Sequence, residues 1–278
     1  MLLLLCDLSL ILCLTTCGPS DDALDRVLAS GVLRVGMDAS FPPFEYVDDA
    51  GNLVGFDVDL AREVTARLGP RLGETEGVEA RFVANLPYDG LYDALTTDRV
   101  DVVISALYVD PTRRGNFAYS TPYFNAGQVL VVMGGATDIE GMEDLGGRVL
   151  AVEFGSEGDV VSRTWARRLA GITVLPCQSA REALDRVIEG EANAALVDHL
   201  SALAAKSEGQ GLQIVGRPVT DEPYAVAVRR ESRGLLRAID GTLEELEADG
   251  TLDRLRREWF TPSDGQGRSR ITEDDGSL

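Results

Sequence analysis

The stretch VDVVISALYVDPTRRGNFAYSTPYF, residues 100–124, joins a Val-rich apolar run to an irregular segment that carries Pro111 and the pair Arg113-Arg114. An apolar run without clean alternation reads as a strand buried on both faces of a parallel sheet. Open α/β sheets take their ligands beyond the carboxyl ends of such strands. A guanidinium there offers a planar fork that matches a carboxylate with two parallel hydrogen bonds. A solvated surface pair is the plainer reading of an isolated Arg-Arg.

Working outward, similar short runs recur: VLRVGM, RFVAN, GQVLVVM, RVLAVEF, AALVD and YAVAVR. Helical patterns alternate with them, which is the signature of an α/β protein. Asp57 is placed to cap a helix carrying Leu60, Val64 and Leu68, with Gly69-Pro70 as its end. Ser179 and Glu182 fit a capping box for a helix that stops at Gly190. Leu236, Ile239, Leu243 and Leu246 form one stripe, and a terminal helix restarts after Gly250. One module occurs twice, as ALTTDRVDVVIS and RVIEGEANAALVD: a helix end, a polar turn and a buried strand. Two copies, either side of the middle, point to two similar lobes rather than to a solenoid.

The 278 residues carry a formal net charge of −20. That charge leaves no basic stripe for nucleic acid and none for anionic lipid. MLLLLCDLSLILCLTTCGPSDD opens the chain as an apolar stretch whose length and polar exit fit a secretory signal, residues 1–17, with a lipobox-like end at Cys17. Thr16 and the lack of a preceding Lys or Arg depart from the usual lipobox pattern. Residues 18–30 are then expected as a linker and residues 263–278 as a flexible tail. Cys6 and Cys13 fall within the signal, and Cys177 is expected buried and inert, so neither a disulfide framework nor a metal-type cysteine pair is available. Phe41, Phe44, Tyr46 and Phe56 crowd together beside Asp38 in MDASFPPFEYVDDAGNLVGFDVDLAREV, residues 37–64, as either a packed turn or the floor of a small-molecule pocket.

Five segments in register carry a resemblance: residues 36–61, 101–124, 148–161, 192–198 and 247–260. Together they resemble the family 3 extracellular solute-binding proteins, the polar amino acid receptors of ABC importers. The resemblance implies a two-lobed periplasmic-binding-protein (Venus-flytrap) fold of type II, α/β in class, with two crossover strands near 123–128 and 220–224. Lobe 1 would comprise 31–124 and 223–262, and lobe 2 would comprise 125–222. It places Arg113 where the ligand α-carboxylate is clamped and Asp198 where the α-ammonium is received, although Asp198 alone reads equally as a helix N-cap. Phe41 and Tyr88 fall where aromatic rings sandwich the ligand's side chain, with Asp38 and Glu153 near its distal end. The backbone around Gly155-Ser156-Glu157 would complete the carboxylate site from a helix start. Ser105 keeps a small hydroxyl ahead of Arg113, whereas Ala106 and Tyr108 depart from the family's pattern.

The resemblance implies an extracytoplasmic, monomeric receptor that binds a free amino acid, requires no cofactor or metal, and engages ABC permease transmembrane subunits; the lipobox-like end would anchor it to the membrane through lipid on Cys17. An acidic distal pocket favours basic or polar neutral amino acids. The alternative is a cyclohexadienyl dehydratase-like enzyme on the same fold, in which Asp38, Glu153 or Glu157 acts as a protonated acid. A sensor domain of a receptor is a third reading. With His199 as the single histidine, directly after Asp198, triad chemistry is poorly served.

Overall fold

The computed structural model describes residues 22–73 and 77–260. The expected signal with Cys17, and the tail 263–278, lie outside the described residues. Within the expected linker, Asp22–Ser30 instead forms helix α1, because Ala23 and Val27 supply an apolar face that is buried in the core.

Helix α1 leads into β1 (Val32–Gly36), then a small antiparallel sheet of β2 (Ser40–Phe41), β3 (Glu45–Val47) and β4 (Leu53–Val54). Helix α2 (Phe56–Arg71) follows, burying Leu60, Val64 and Leu68 as their spacing predicts. Each such buried aliphatic side chain contributes about 1.5–3 kcal/mol. Two details of α2 differ from the sequence reading. Gly55 occupies the N-cap, Asp57 being turned inward, and the helix runs through Gly69-Pro70 to Arg71. A Cβ on Gly55 would lie 2.0 Å from the Phe44 carbonyl oxygen, and its φ of +140° is open only to glycine.

Next come β5 (Glu79–Val83), α3 (Gly90–Thr96), β6 (Val102–Val103), a 3-10 turn at Pro111–Arg113, and β7 (Phe117–Tyr119). The chain crosses at β8 (Phe124–Asn125) and continues as β9 (Gln128–Met133), β10 (Val149–Glu153), α4 (Glu157–Arg168) and β11 (Thr173–Cys177). Helix α5 (Ala180–Ile188), β12 (Ala194–Asp198), α6 (His199–Ser207) and β13 (Leu212–Val215) complete this part. It returns at β14 (Pro223–Tyr224) and closes with β15 (Ala227–Arg229), α7 (Arg233–Ala248) and α8 (Thr251–Phe260).

Two five-stranded sheets result, in the orders β5-β1-β6-β15-β7 and β11-β10-β12-β9-β13. In each, three parallel strands are followed by a fourth that runs against them and a fifth that runs against the fourth, and β6 and β12 hold matching third positions. The module read twice in the sequence thus builds the same place in both lobes. YAVAVR, expected as one strand, is divided between β14 and β15.

The lobes are joined where β8 pairs antiparallel with β14, Phe124 facing Tyr224 and Asn125 facing Pro223. Gly127 follows, so close to the return segment that a Cβ would stand 2.0 Å from the Thr220 carbonyl oxygen. Around the crossing, Phe44 meets Phe124 at 5.0 Å, Phe260 at 5.2 Å, Tyr224 at 5.6 Å and Phe56 at 5.9 Å between ring centroids. This knot of rings, with Phe44 and Phe56 fully buried, accounts for most of the aromatic crowding in residues 37–64. Cys177, a free thiol at the end of β11, is buried as expected.

Candidate functional site

β1 and β6 are parallel neighbours, and the chain leaving their carboxyl ends carries Asp38 and Ser105-Ala106. Asp38 is half-buried; its backbone N–H donates to Ser105 Oγ at 3.0 Å, and Ser40 Oγ donates to its carboxylate at 2.7 Å. The Ser105 side chain faces the interior, donating to Glu45 Oε1 at 2.8 Å, so its hydroxyl is not presented to a ligand. Ala106 takes a positive φ of 42° and gives its N–H to Asp57 Oδ2. Phe41 is exposed at 40% and stacks on Phe44, which leaves its outer face open.

Arg113 lies in the 3-10 turn that Pro111 starts and Asp110 caps. Its guanidinium sits over the Tyr92 ring, 4.3 Å from the centroid, and its Nε meets Asp110 Oδ2 at 3.2 Å. The Tyr92 and Tyr119 hydroxyls bond at 2.9 Å beneath it. Burial raises the pKa of both phenols, so they remain neutral donors. Tyr88 and Tyr108 are exposed, and Tyr108 bridges to Tyr224 of the crossing.

On the other sheet, β10 and β12 run parallel, ending at Glu153 and Asp198 on one edge. Ser156 caps α4, accepting from the Asp159 N–H at 3.2 Å and donating to the Glu153 carbonyl at 2.7 Å. Asp198 caps α6 through the Ser201 N–H at 2.8 Å. The cap reading of Asp198 therefore holds, with one carboxylate oxygen engaged. Glu157 is exposed and accepts from Thr220 Oγ1 of the return crossing at 3.0 Å.

The return crossing links the two groups. Burial raises the Glu222 carboxyl, and the like charges of Glu157 and Asp198 add to that. Burial likewise raises the Tyr88 phenol, with Glu222 pushing further up and Arg113 pulling down. Glu222, Thr220 and the Tyr92–Tyr119 pair were not singled out from the sequence, because a crossing of two paired residues has no period to read. Two concavities of about 540 and 490 Å³ lie elsewhere, on the outer side of β7 and the start of α7, lined by residues that include Arg230 and Arg233. None of the expected site residues lines either.

Matched sheets with carboxyl edges bearing polar groups, joined by one pair of crossing strands, define a two-lobed solute receptor. The chain belongs to the bacterial extracellular solute-binding proteins, family 3, whose pattern matches residues 33–262. It is 31% identical over 240 residues to the L-cystine-binding protein TcyJ of Escherichia coli (strain K12), covering 85% of each chain. Among solved structures it resembles the L-cystine solute receptor of Neisseria gonorrhoeae in the unliganded open conformation, with TM-score 0.69, 26% identity, and 86% of this chain and 96% of that chain covered. It also resembles an ancestral cyclohexadienyl dehydratase, with TM-score 0.72, 26% identity, and coverage of 85% and 95%.

Proposed function

We propose that this protein binds a free amino acid between the carboxyl edges of its two sheets and hands it, unchanged, to the membrane subunits of an ABC importer. The observation that carries the reading is Arg113, held by Asp110 through Nε alone, with its Nη groups left without a hydrogen-bond partner among the described residues. They are available for the ligand α-carboxylate. Asp198, at the end of β12, receives the α-ammonium through its second oxygen. Phe41 and Tyr88 flank the side chain, and Tyr108 narrows the pocket. Relatives with amino acid ligands in their names, TcyJ among them, support this class of ligand.

Asp38, Glu153, Glu157, Asp198 and Glu222 outnumber Arg113, so a basic or polar neutral side chain is favoured over an acidic one. Titration calorimetry with arginine, lysine, glutamine and glutamate tests this. Saturable heat with one of the first three, and weaker heat with glutamate, is expected; glutamate as the tightest ligand overturns the specificity, and silence with all four overturns the ligand class.

The rival reading is an eliminating enzyme. It is favoured by the likeness to the ancestral dehydratase and by Glu222, a carboxyl whose raised pKa suits proton donation. Incubation with prephenate and arogenate separates the two: a receptor returns both intact. The export reading of residues 1–17, with lipid on Cys17 and a monomeric product, predicts that Cys17→Ser shifts the protein from the membrane to the soluble fraction.

A further inference from the structure

Glu45 on β3 and Asp57 in the first turn of α2 are both fully enclosed, and neither has an ion-pair partner among the described residues. Each carboxyl has one occupied and one orphaned oxygen. Glu45 Oε1 receives the Ser105 hydroxyl at 2.8 Å, while Asp57 Oδ2 receives the Ala106 N–H at 2.5 Å and the Tyr123 hydroxyl at 2.9 Å. Glu45 Oε2 and Asp57 Oδ1 are buried with no donor at all. The two carboxyls are hydrogen-bonded to the successive residues Ser105 and Ala106, and the charge of Asp57 acts on Glu45, so in a dry core they cannot both ionise, and a buried acceptor without a donor is costly. One hydrogen answers both deficits.

We infer that Glu45 and Asp57 share a single proton, Glu45 Oε2–H donating to Asp57 Oδ1, and that this pair positions the Ser105-Ala106 turn under the ligand site. Asp57 is the ionised member, since two further donors already point at it. Burial is the main influence holding the proton on Glu45, followed by the charge of Asp57. Among the described residues, the charged or titratable groups that act most on the pair are Asp38, Tyr123 and Tyr224, none of them a cation.

From the pair, the bonds run outward along three routes. Through Ser105 Oγ they reach the Asp38 backbone, and through Asp57 they fix the Ala106 N–H in its left-handed conformation. Through Tyr123 they reach the residue before crossing strand β8. The floor of the site and its hinge are tied to one proton. That the tied turn serves a ligand rests on the amino acid reading above; the shared proton does not.

Glu45 binds its proton more tightly folded than unfolded, so this contribution to stability is complete below the ordinary glutamate pKa. It is lost as pH rises through the elevated folded value. Infrared spectroscopy in heavy water at neutral pH is expected to show the carbonyl stretch of a buried protonated carboxylic acid in the natural protein and not in Glu45→Gln. The melting temperature of the natural protein is expected to fall more steeply between pH 7 and 10 than that of Glu45→Gln. Amide exchange at Ala106 is expected to quicken at least tenfold in Glu45→Ala and to stay near the natural rate in Glu45→Gln, whose amide replaces the donor. No acid band in the natural protein, a band that persists in Glu45→Gln, parallel melting profiles, or equal exchange in Glu45→Ala and Glu45→Gln would each overturn the inference. None of these measurements uses a ligand, so their failure is distinct from failure of the amino acid reading.

Discussion

Arg113 is exposed on the side away from Tyr92, and its ion pair with Asp110 is a solvent-screened surface contact of small worth. Arg113→Ala is therefore expected to leave the ligand-free melting temperature nearly unchanged. It is also expected to weaken amino acid binding by about 2–5 kcal/mol in calorimetry, because a desolvated carboxylate loses its partner. Arg113→Lys restores part of the loss, since an ammonium cannot offer two parallel bonds. The Asp198 cap was legible because an Asp that follows a short apolar run and opens a helical pattern is a standard N-cap signal. Glu45 and Asp57 were not. An acid in the first turn of a helix reads as a cap, and only the packing of β3 against α2 shows that both carboxyls are turned inward.

At the scale of elements, the capped helices were the most legible parts. Ser179 accepts from the Glu182 N–H at 3.1 Å, while the Glu182 carboxylate reaches the Gln178 N–H one residue earlier than the box pattern requires. Ser179→Ala is expected to cost about 1 kcal/mol in urea unfolding. The pairing of β8 with β14 was not visible, since two-residue strands carry no alternation. Strands β2–β4 and β7 escaped for the same reason. Gly127→Ala forces a methyl group into the Thr220 backbone, and a loss of about 1–3 kcal/mol is expected, read as a lower urea midpoint. Helix α1 within the expected linker is held by Arg26, which binds the buried Asp101 alongside Arg34. That anchor needs sequence-distant partners, so nothing local announced it.

Across the whole molecule, acid weakens two joints. Burial works against the charge of Asp101, yet hydrogen bonds from Arg34 and Arg26 outweigh it and hold the carboxyl below the usual range. Its contribution is present above the unfolded aspartate pKa and lost as pH falls through the depressed folded value. His199, stacked on Phe124 and bonded through Nδ1 to the Asn125 carbonyl at 2.6 Å, is lowered first by burial. Its neutral form is favoured in the fold, so stability declines as pH drops below the ordinary histidine pKa. Between pH 7 and pH 5 the raised Glu45 carboxyl works the other way, so the expected outcome is a difference: the urea midpoint of the natural protein loses ground relative to that of His199→Gln as pH falls. A saturating amino acid, at a hundred times its dissociation constant, is expected to add about 2.7 kcal/mol, seen as a melting shift. The second sheet draws all its strands from one unbroken span, 128–215, while the first takes β15 from beyond it. A polypeptide emerging amino end first through a translocation channel therefore completes the second sheet as soon as residue 215 is free. The first sheet, begun sooner, keeps a gap between β6 and β7 until residues 227–229 follow.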